Sequence, residues 1–141
     1  MNLTDLHTSS RPSGAVTRRA AIEAIYATGH WLLEQEQPSE AATVFRTMIH
    51  AEPRDERGWL GLGECHERVD QPRIAAEILG AGSVVATSSV RLLVARSRAL
   101  TSAGFEVEAE ESLSAAADAA VAADDEELQA LVTSERARRR T

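Results

Sequence analysis

The chain has 141 residues, with 22 acidic and 15 basic side chains, a formal charge of −7 and a pI near 5.1. This length suits one compact domain or one short repeat array, and the acidic balance argues against a general nucleic-acid or anionic-membrane binder. Cys65 is the single cysteine, which excludes an intramolecular disulfide framework and a zinc site built from several cysteines. Because there is no apolar run of about 18 residues and no signal-like apolar stretch, we expect no membrane insertion and a reducing, cytoplasmic location.

The composition predicts an all-α protein. Alanine, leucine, glutamate and arginine dominate the chain, and all four favour helices. Aromatic residues make up only 4%, and strand-forming residues do not alternate with polar ones over any long run.

An internal repeat appears when the sequence is shifted by 34 residues, the length of a tetratricopeptide-type helix–turn–helix unit. Small residues recur where two helices would need to approach closely, and a large residue recurs where the next unit would be contacted. The matched sets are Gly29/Gly63/Ser97, Ala41/Ala75/Ala109, Phe45/Leu79/Leu113 and Leu32/His66/Leu100. The spacing holds through three copies without a gap, which favours a stacked array over a plain helical bundle.

In chain order, residues 1–14 are expected to be disordered, since their polar composition offers little apolar surface to bury. Residues 15–141 are expected to form one tetratricopeptide-like domain, in which 15–21 either extend the first helix or form a short helix. Pro38 and Ser39 predict a turn and an N-cap. The predicted repeats cover 22–55, 56–89 and 90–123, with helices at about 21–36, 39–50, 56–69, 72–79, 89–103 and 107–123, and a capping helix at about 124–139.

Catalytic and metal-binding patterns are missing. The histidines fall in different predicted elements, with no pair at metal-ligand spacing; they are His7, His30, His50 and His66. Cys65 has no partner and is interpreted as a small buried residue rather than a reactive thiol. We therefore expect no enzymatic activity, no metal and no cofactor.

Two charged segments are candidates for binding surfaces. Residues 104–127 carry nine acids and no base, which is interpreted as a solvated helix face rather than an acidic binding surface. Arginines at 136 and 138–140 form a basic end. We interpret it as a frayed helix terminus that suits the helix dipole, rather than as a nucleic-acid contact.

A stacked array presents a concave groove lined by the first helix of each unit, and such a groove suits an extended peptide. For Tyr26, Leu33 and Leu60 a purely structural place in the core stays equally open. The predicted groove residues are Tyr26, His30 and Leu33 in the first unit, with Glu23 beside them; Arg57, Leu60, Gly61, Glu64 and Glu67 in the second; and Arg91, Val94 and Arg98 in the third, with Thr101 beside them.

Residues 55–65, DERGWLGLGEC, resemble the second-repeat signature of the class II type III secretion chaperones, which bind hydrophobic translocator proteins. Ile25-Tyr26 and the run from Ala41 to Phe45 are similar to the first repeat of that family. Downstream, Gly80-Ala81 and the stretch from Ala109 to Leu113 also stand where the family has similar residues. The resemblance spans about 20–123.

The resemblance implies a peptide-binding chaperone. Such proteins hold an extended N-terminal segment of a translocator in the groove and keep the client soluble and ready for export, without ATP. It also implies self-association, for which about 15–35 is the candidate surface. The alternatives are a tetratricopeptide adaptor unrelated to secretion and, from the basic end alone, a nucleic-acid binder.

Overall fold

Seven helices account for nearly all of residues 14–141, the part of the chain that the computed structural model describes. The all-α prediction is therefore confirmed for this range. The disorder expected for residues 1–14 lies outside the described residues, except at Gly14, which begins the first helix. The helices are α1 (Gly14–Glu34), α2 (Pro38–Ala51), α3 (Glu56–Arg68), α4 (Pro72–Val85), α5 (Val90–Ser102), α6 (Glu106–Ala122) and α7 (Glu126–Arg140).

Each helix packs against the next, so that α1–α2, α3–α4 and α5–α6 form three successive hairpins and α7 follows as a further first helix. Corresponding helices begin 34 residues apart: α2, α4 and α6 at Pro38, Pro72 and Glu106, and α3 and α5 at Glu56 and Val90. The hairpins therefore keep the period read from the sequence.

The array curves because its two sets of helices pack differently. The first helices contact one another in sequence, α1 with α3, α3 with α5 and α5 with α7, whereas α2, α4 and α6 make no such contacts among residues 14–141. The first helices thus lie closer together than the second helices, which spread apart. This difference makes the α1–α3–α5 side concave.

Helix α1 starts at Gly14, so residues 15–21 extend it, which is one of the two arrangements that the sequence left open. Two other boundaries differ from the sequence expectation. Helix α2 starts at Pro38 with Gln37 as its N-cap, and Ser39 lies inside the first turn, because proline fits that turn without needing a backbone N–H group. Helix α4 continues past residue 79 to Val85.

A glycine in the longer part of α4 accommodates a tryptophan. A Cβ atom placed on Gly82 would lie 2.6 Å from Cγ of Trp59, so the glycine makes room for the indole ring. The ring in turn donates a hydrogen bond of 2.8 Å from Nε1 to the carbonyl oxygen of Pro53. Gly82 therefore serves helix packing here and does not end the helix.

The turn inside each hairpin contains one residue in the left-handed region, at positions 34 apart. They are Glu36 with φ 57°, Asp70 with φ 59° and Gly104 with φ 88°. A residue that has a Cβ atom is strained by roughly 1 kcal/mol or more in this conformation, and glycine is not. At this position the third hairpin has glycine, which is not strained, whereas the first two hairpins have Glu36 and Asp70, which are.

Glu36→Gly is expected to raise the free energy of unfolding by about 0.5–1 kcal/mol, because it removes this strain. Gly104→Ala is expected to lower it by about 1 kcal/mol for the converse reason. Urea denaturation measures both changes. Glu111→Gly, at an exposed position inside α6, is the control and should lose about 1 kcal/mol. Destabilisation of Glu36→Gly to the same extent as the control would contradict the argument.

Cys65 lies in the core beside α2, where its side chain is 2% exposed. Burial raises the pKa of the thiol to about 11. The thiol is therefore protonated at neutral pH and packs as a small apolar group, as the sequence interpretation expected.

Candidate peptide-binding groove

The residues that the sequence assigned to a groove lie on the first helices α1, α3 and α5, and most of them are exposed to some degree. Eight of them are at least partly exposed, and we refer to this set as the concave groove: Tyr26, His30, Arg57, Leu60, Glu64, Glu67, Arg91 and Arg98.

At the α1 end, one arginine organises the groove. The guanidinium of Arg57 donates to both carboxylate oxygens of Glu23, at 2.7 and 3.0 Å, and to both of Asp55, at 2.8 and 3.1 Å. Asp55 is also the N-cap of α3 and accepts from the backbone N–H of Arg57 at 3.0 Å. These hydrogen bonds from Arg57 hold the pKa of both carboxyl groups below their usual values.

The same guanidinium covers an aromatic ring. Its Cζ atom lies 4.6 Å from the centroid of the Tyr26 ring, a cation–π arrangement. The centroid of the His30 ring lies 6.1 Å from that of Tyr26. The structure therefore brings Tyr26, His30 and Arg57 together, and Arg57 is fixed in place by two carboxylates.

In the middle of the groove, α3 presents a half-buried Leu60 beside charged residues. Glu64 accepts a hydrogen bond of 2.9 Å from Arg68, whose other terminal nitrogen donates to the carbonyl oxygen of Leu33 at 2.9 Å. Desolvation raises the pKa of Glu67 despite the opposing charge of Arg98. Across the next gap, Arg91 pairs with Glu56 at 3.2 Å.

At the far end, α7 closes the groove against α5. Arg98 donates to both oxygens of Glu135, at 2.7 and 3.1 Å, and Arg138 donates to Glu135 at 2.7 Å. The Glu135 side chain is only 2% exposed. Burial raises the pKa of Glu135, but the hydrogen bonds from the two arginines outweigh this effect, and the pKa stays below its usual value.

The basic end of the chain is engaged with the domain, which corrects its interpretation as a frayed terminus. Helix α7 runs to Arg140. Arg139 donates to the hydroxyl oxygens of Ser97, at 3.0 Å, and Thr101, at 2.7 Å, and to Glu106 at 3.1 Å. These contacts anchor the last turn of α7 to α5 and α6.

Three predicted groove residues lie in the core instead. Leu33 and Val94 are each 3% exposed, and Gly61 is buried with Phe45 directly against it. Val94 is covered because Leu128 and Val132 of α7 pack into the same cluster. The repeat register did not show what would pack over these three positions.

Three side chains that the sequence did not assign to the groove hold groove residues in position: Asp55, Arg68 and Glu135. A signal existed for Glu135, because it lies two 34-residue steps beyond the predicted groove residue Glu67, with Thr101 at the intermediate step.

Within residues 14–141, no group of three or more histidine, cysteine, aspartate or glutamate side chains has the geometry to hold a metal ion. No helix of this range is long and apolar enough to cross a bilayer.

Comparison with known proteins gives matches in solved structures alone, since no protein-family profile and no curated protein matches the sequence. The Yersinia enterocolitica type III secretion translocator chaperone SycD matches with a TM-score of 0.70 and 24% identity, covering 82% of this chain and 87% of SycD. PcrH from Pseudomonas aeruginosa matches with a TM-score of 0.69 and 21% identity, covering 82% of this chain and 89% of PcrH. The chain has the fold of the type III secretion translocator chaperones. The tetratricopeptide-like prediction is thereby confirmed.

Both matched proteins have been crystallised with parts of their clients. SycD is known in complex with a peptide of the translocator YopD, and PcrH with the chaperone-binding regions of PopB and PopD. SycD has also been crystallised as an alternative dimer.

Proposed function

We propose that this protein is a chaperone of type III secretion that holds an extended N-terminal segment of a hydrophobic translocator in the concave groove. The observation that carries the proposal is the concave first-helix face on a fold shared with chaperones that bind such peptides. The complex would form in the bacterial cytoplasm and keep the client soluble until export. Neither a catalytic step nor a cofactor is part of the proposal.

The groove has the chemistry that an extended peptide requires. Tyr26 and Leu60 offer apolar surface, and a few such anchors dominate the affinity of peptide interfaces. Arg57 lies against the Tyr26 ring and is held there by Glu23 and Asp55. Because this side chain is already ordered, peptide binding loses little conformational entropy there. The exposed charges along the rim would set specificity rather than affinity.

Self-association through residues 15–35 is part of the same proposal. Trp31 on α1 is 55% exposed, which is unusual for so large an apolar side chain. The alternative dimer of SycD supports self-association as a property of this fold.

Tyr26→Ala and Leu60→Glu are each expected to weaken client binding at least about tenfold, because each removes an apolar anchor from the groove. The ligand is the N-terminal segment of the translocator encoded beside this gene, labelled with fluorescein and titrated by fluorescence anisotropy. Circular dichroism should show unchanged helicity. Val94→Glu is unsuitable as a groove variant, because Val94 is buried and the change would unfold the chain.

The matched control is Val121→Glu, which places the same charge on a 67%-exposed valine of α6 and should bind like the wild type. Wild-type affinity in both groove variants would contradict the proposal. Copurification with a partner that is not secreted, and with no translocator, would instead favour an adaptor unrelated to secretion.

A further inference from the structure

A second cleft lies on the opposite side of the array from the concave groove. It has a volume of about 620 Å³ and opens between α4 and α6, which do not contact each other, with α5 as its floor. Its apolar lining includes Ala76, Leu100 and Phe105, and Val84 at its edge is 85% exposed. Arg73, Arg96, Glu77 and Glu108 supply its charged groups.

Arg96 occupies a position that is apolar in the preceding repeat. The residue 34 positions earlier is Leu62, a core residue with 6% exposure. The Arg96 side chain lies along Gly80 of α4, where a Cβ atom would come within 3.0 Å of its Nε atom. Gly80 therefore leaves the space through which the guanidinium enters the cleft.

The Nε–H group of Arg96 is buried and has no hydrogen-bond partner among residues 14–141. A buried donor without an acceptor is unfavourable, and a native structure that retains one calls for an explanation. Replacement of a core leucine by an arginine is likewise unfavourable for stability alone.

The other charged groups of the cleft do not satisfy this donor. Arg73 lies at the mouth, with its Cζ atom 5.9 Å from the centroid of the Phe105 ring, and its Nε atom is 3.8 Å from a carboxylate oxygen of Glu77. Glu108 forms no ion pair within 4 Å among the described residues. Two acids and two bases thus line the cleft, a balance that suits a single negative charge better than a phosphate dianion.

We propose that this cleft binds a peptide segment of a partner protein through one glutamate or aspartate side chain. The carboxylate would accept from the two terminal nitrogens of Arg96, because arginine binds a carboxylate strongly through two hydrogen bonds; the buried Nε atom is closed to the ligand. An apolar neighbour of that acid would contact Phe105 and Val84. The site is separate from the client groove, because Arg96 and the groove residue Arg98 lie two residues apart and so project from nearly opposite sides of α5.

The test uses two peptides, acetyl-Leu-Glu-Leu-amide and its glutamine counterpart, with the Nε–H resonances of ¹⁵N-arginine in the full chain as the readout. The glutamate peptide is expected to shift the Arg96 resonance, and the glutamine peptide is not. Arg96→Met should weaken the glutamate peptide at least tenfold and, because the buried donor is removed, raise the melting temperature of the free chain. Arg54→Met, at an exposed arginine outside the cleft, is the control and should bind like the wild type.

The proposal would be overturned if the Arg96 resonance did not move, if both peptides moved it equally, or if inorganic phosphate moved it at lower concentration than the glutamate peptide. Leu60→Glu should bind the glutamate peptide normally even though it is expected to lose the client. Failure of this cleft and failure of the client groove are therefore distinguishable.

Discussion

Gly61→Ala is expected to lower the free energy of unfolding by about 1–3 kcal/mol, although alanine is the better helix former by about 1 kcal/mol. The added Cβ atom would lie 2.4 Å from Cε1 of Phe45. The ring cannot move away toward α1, because Gly29 lies against its other side, where an added Cβ atom would be 2.8 Å away. Urea denaturation gives the size of the loss, and its sign decides between helix propensity and packing.

Gly14→Ala is the matched control, since nothing lies within 4 Å of a Cβ atom at that position. It should leave stability unchanged or raise it slightly. Phe45→Leu, which is smaller, should restore part of the loss when combined with Gly61→Ala, so that the two changes are non-additive. A Gly61→Ala variant more stable than the wild type would show that α1, α2 and α3 are not packed as described.

Arg98→Met is expected to lower the free energy of unfolding by about 1–3 kcal/mol at pH 7, because the substitution leaves the buried Glu135 carboxylate with Arg138 as its remaining guanidinium partner. This loss of stability is smaller than for a fully buried ion pair, because the Arg98 side chain is 49% exposed and water screens its charge.

This loss should depend on pH in a defined direction. The pKa of Glu135 is lowered in the folded chain, so the carboxylate contributes its full stabilisation above the ordinary glutamate pKa near 4.5 and loses it as the pH falls through the lower, folded pKa. The difference between the wild type and Arg98→Met should therefore be largest at pH 7 and shrink below about pH 4.

Urea denaturation of both proteins at about pH 7 and about pH 3.5 measures this change. Glu64→Gln, which breaks the exposed pair with Arg68 four residues away, is the control and should lose less than about 0.5 kcal/mol. An equal stability of the wild type and Arg98→Met at neutral pH would show that Glu135 does not depend on Arg98.

The groove could be predicted in part. The sequence assigned Tyr26, His30 and Arg57 to one groove without indicating contacts among them, and in the structure Arg57 lies over the Tyr26 ring with His30 beside it. The register could not indicate that Arg57 would be held by Asp55 at the start of its own helix, because such a contact depends on side-chain direction there. Nor could it show that Leu33 and Val94 would be covered, because the covering residues belong to other helices.

The sequence by itself determined the helical class, the length of the repeating hairpin and the glycine positions that allow close approach, because these follow from local propensity and a constant period. Tertiary structure decided the depth of each residue within the groove, the extension of α4 past its glycines and the locking of the chain's basic end by Arg139. The physical reason is that a period fixes which way a residue points, whereas its burial depends on the neighbouring helices that pack over it.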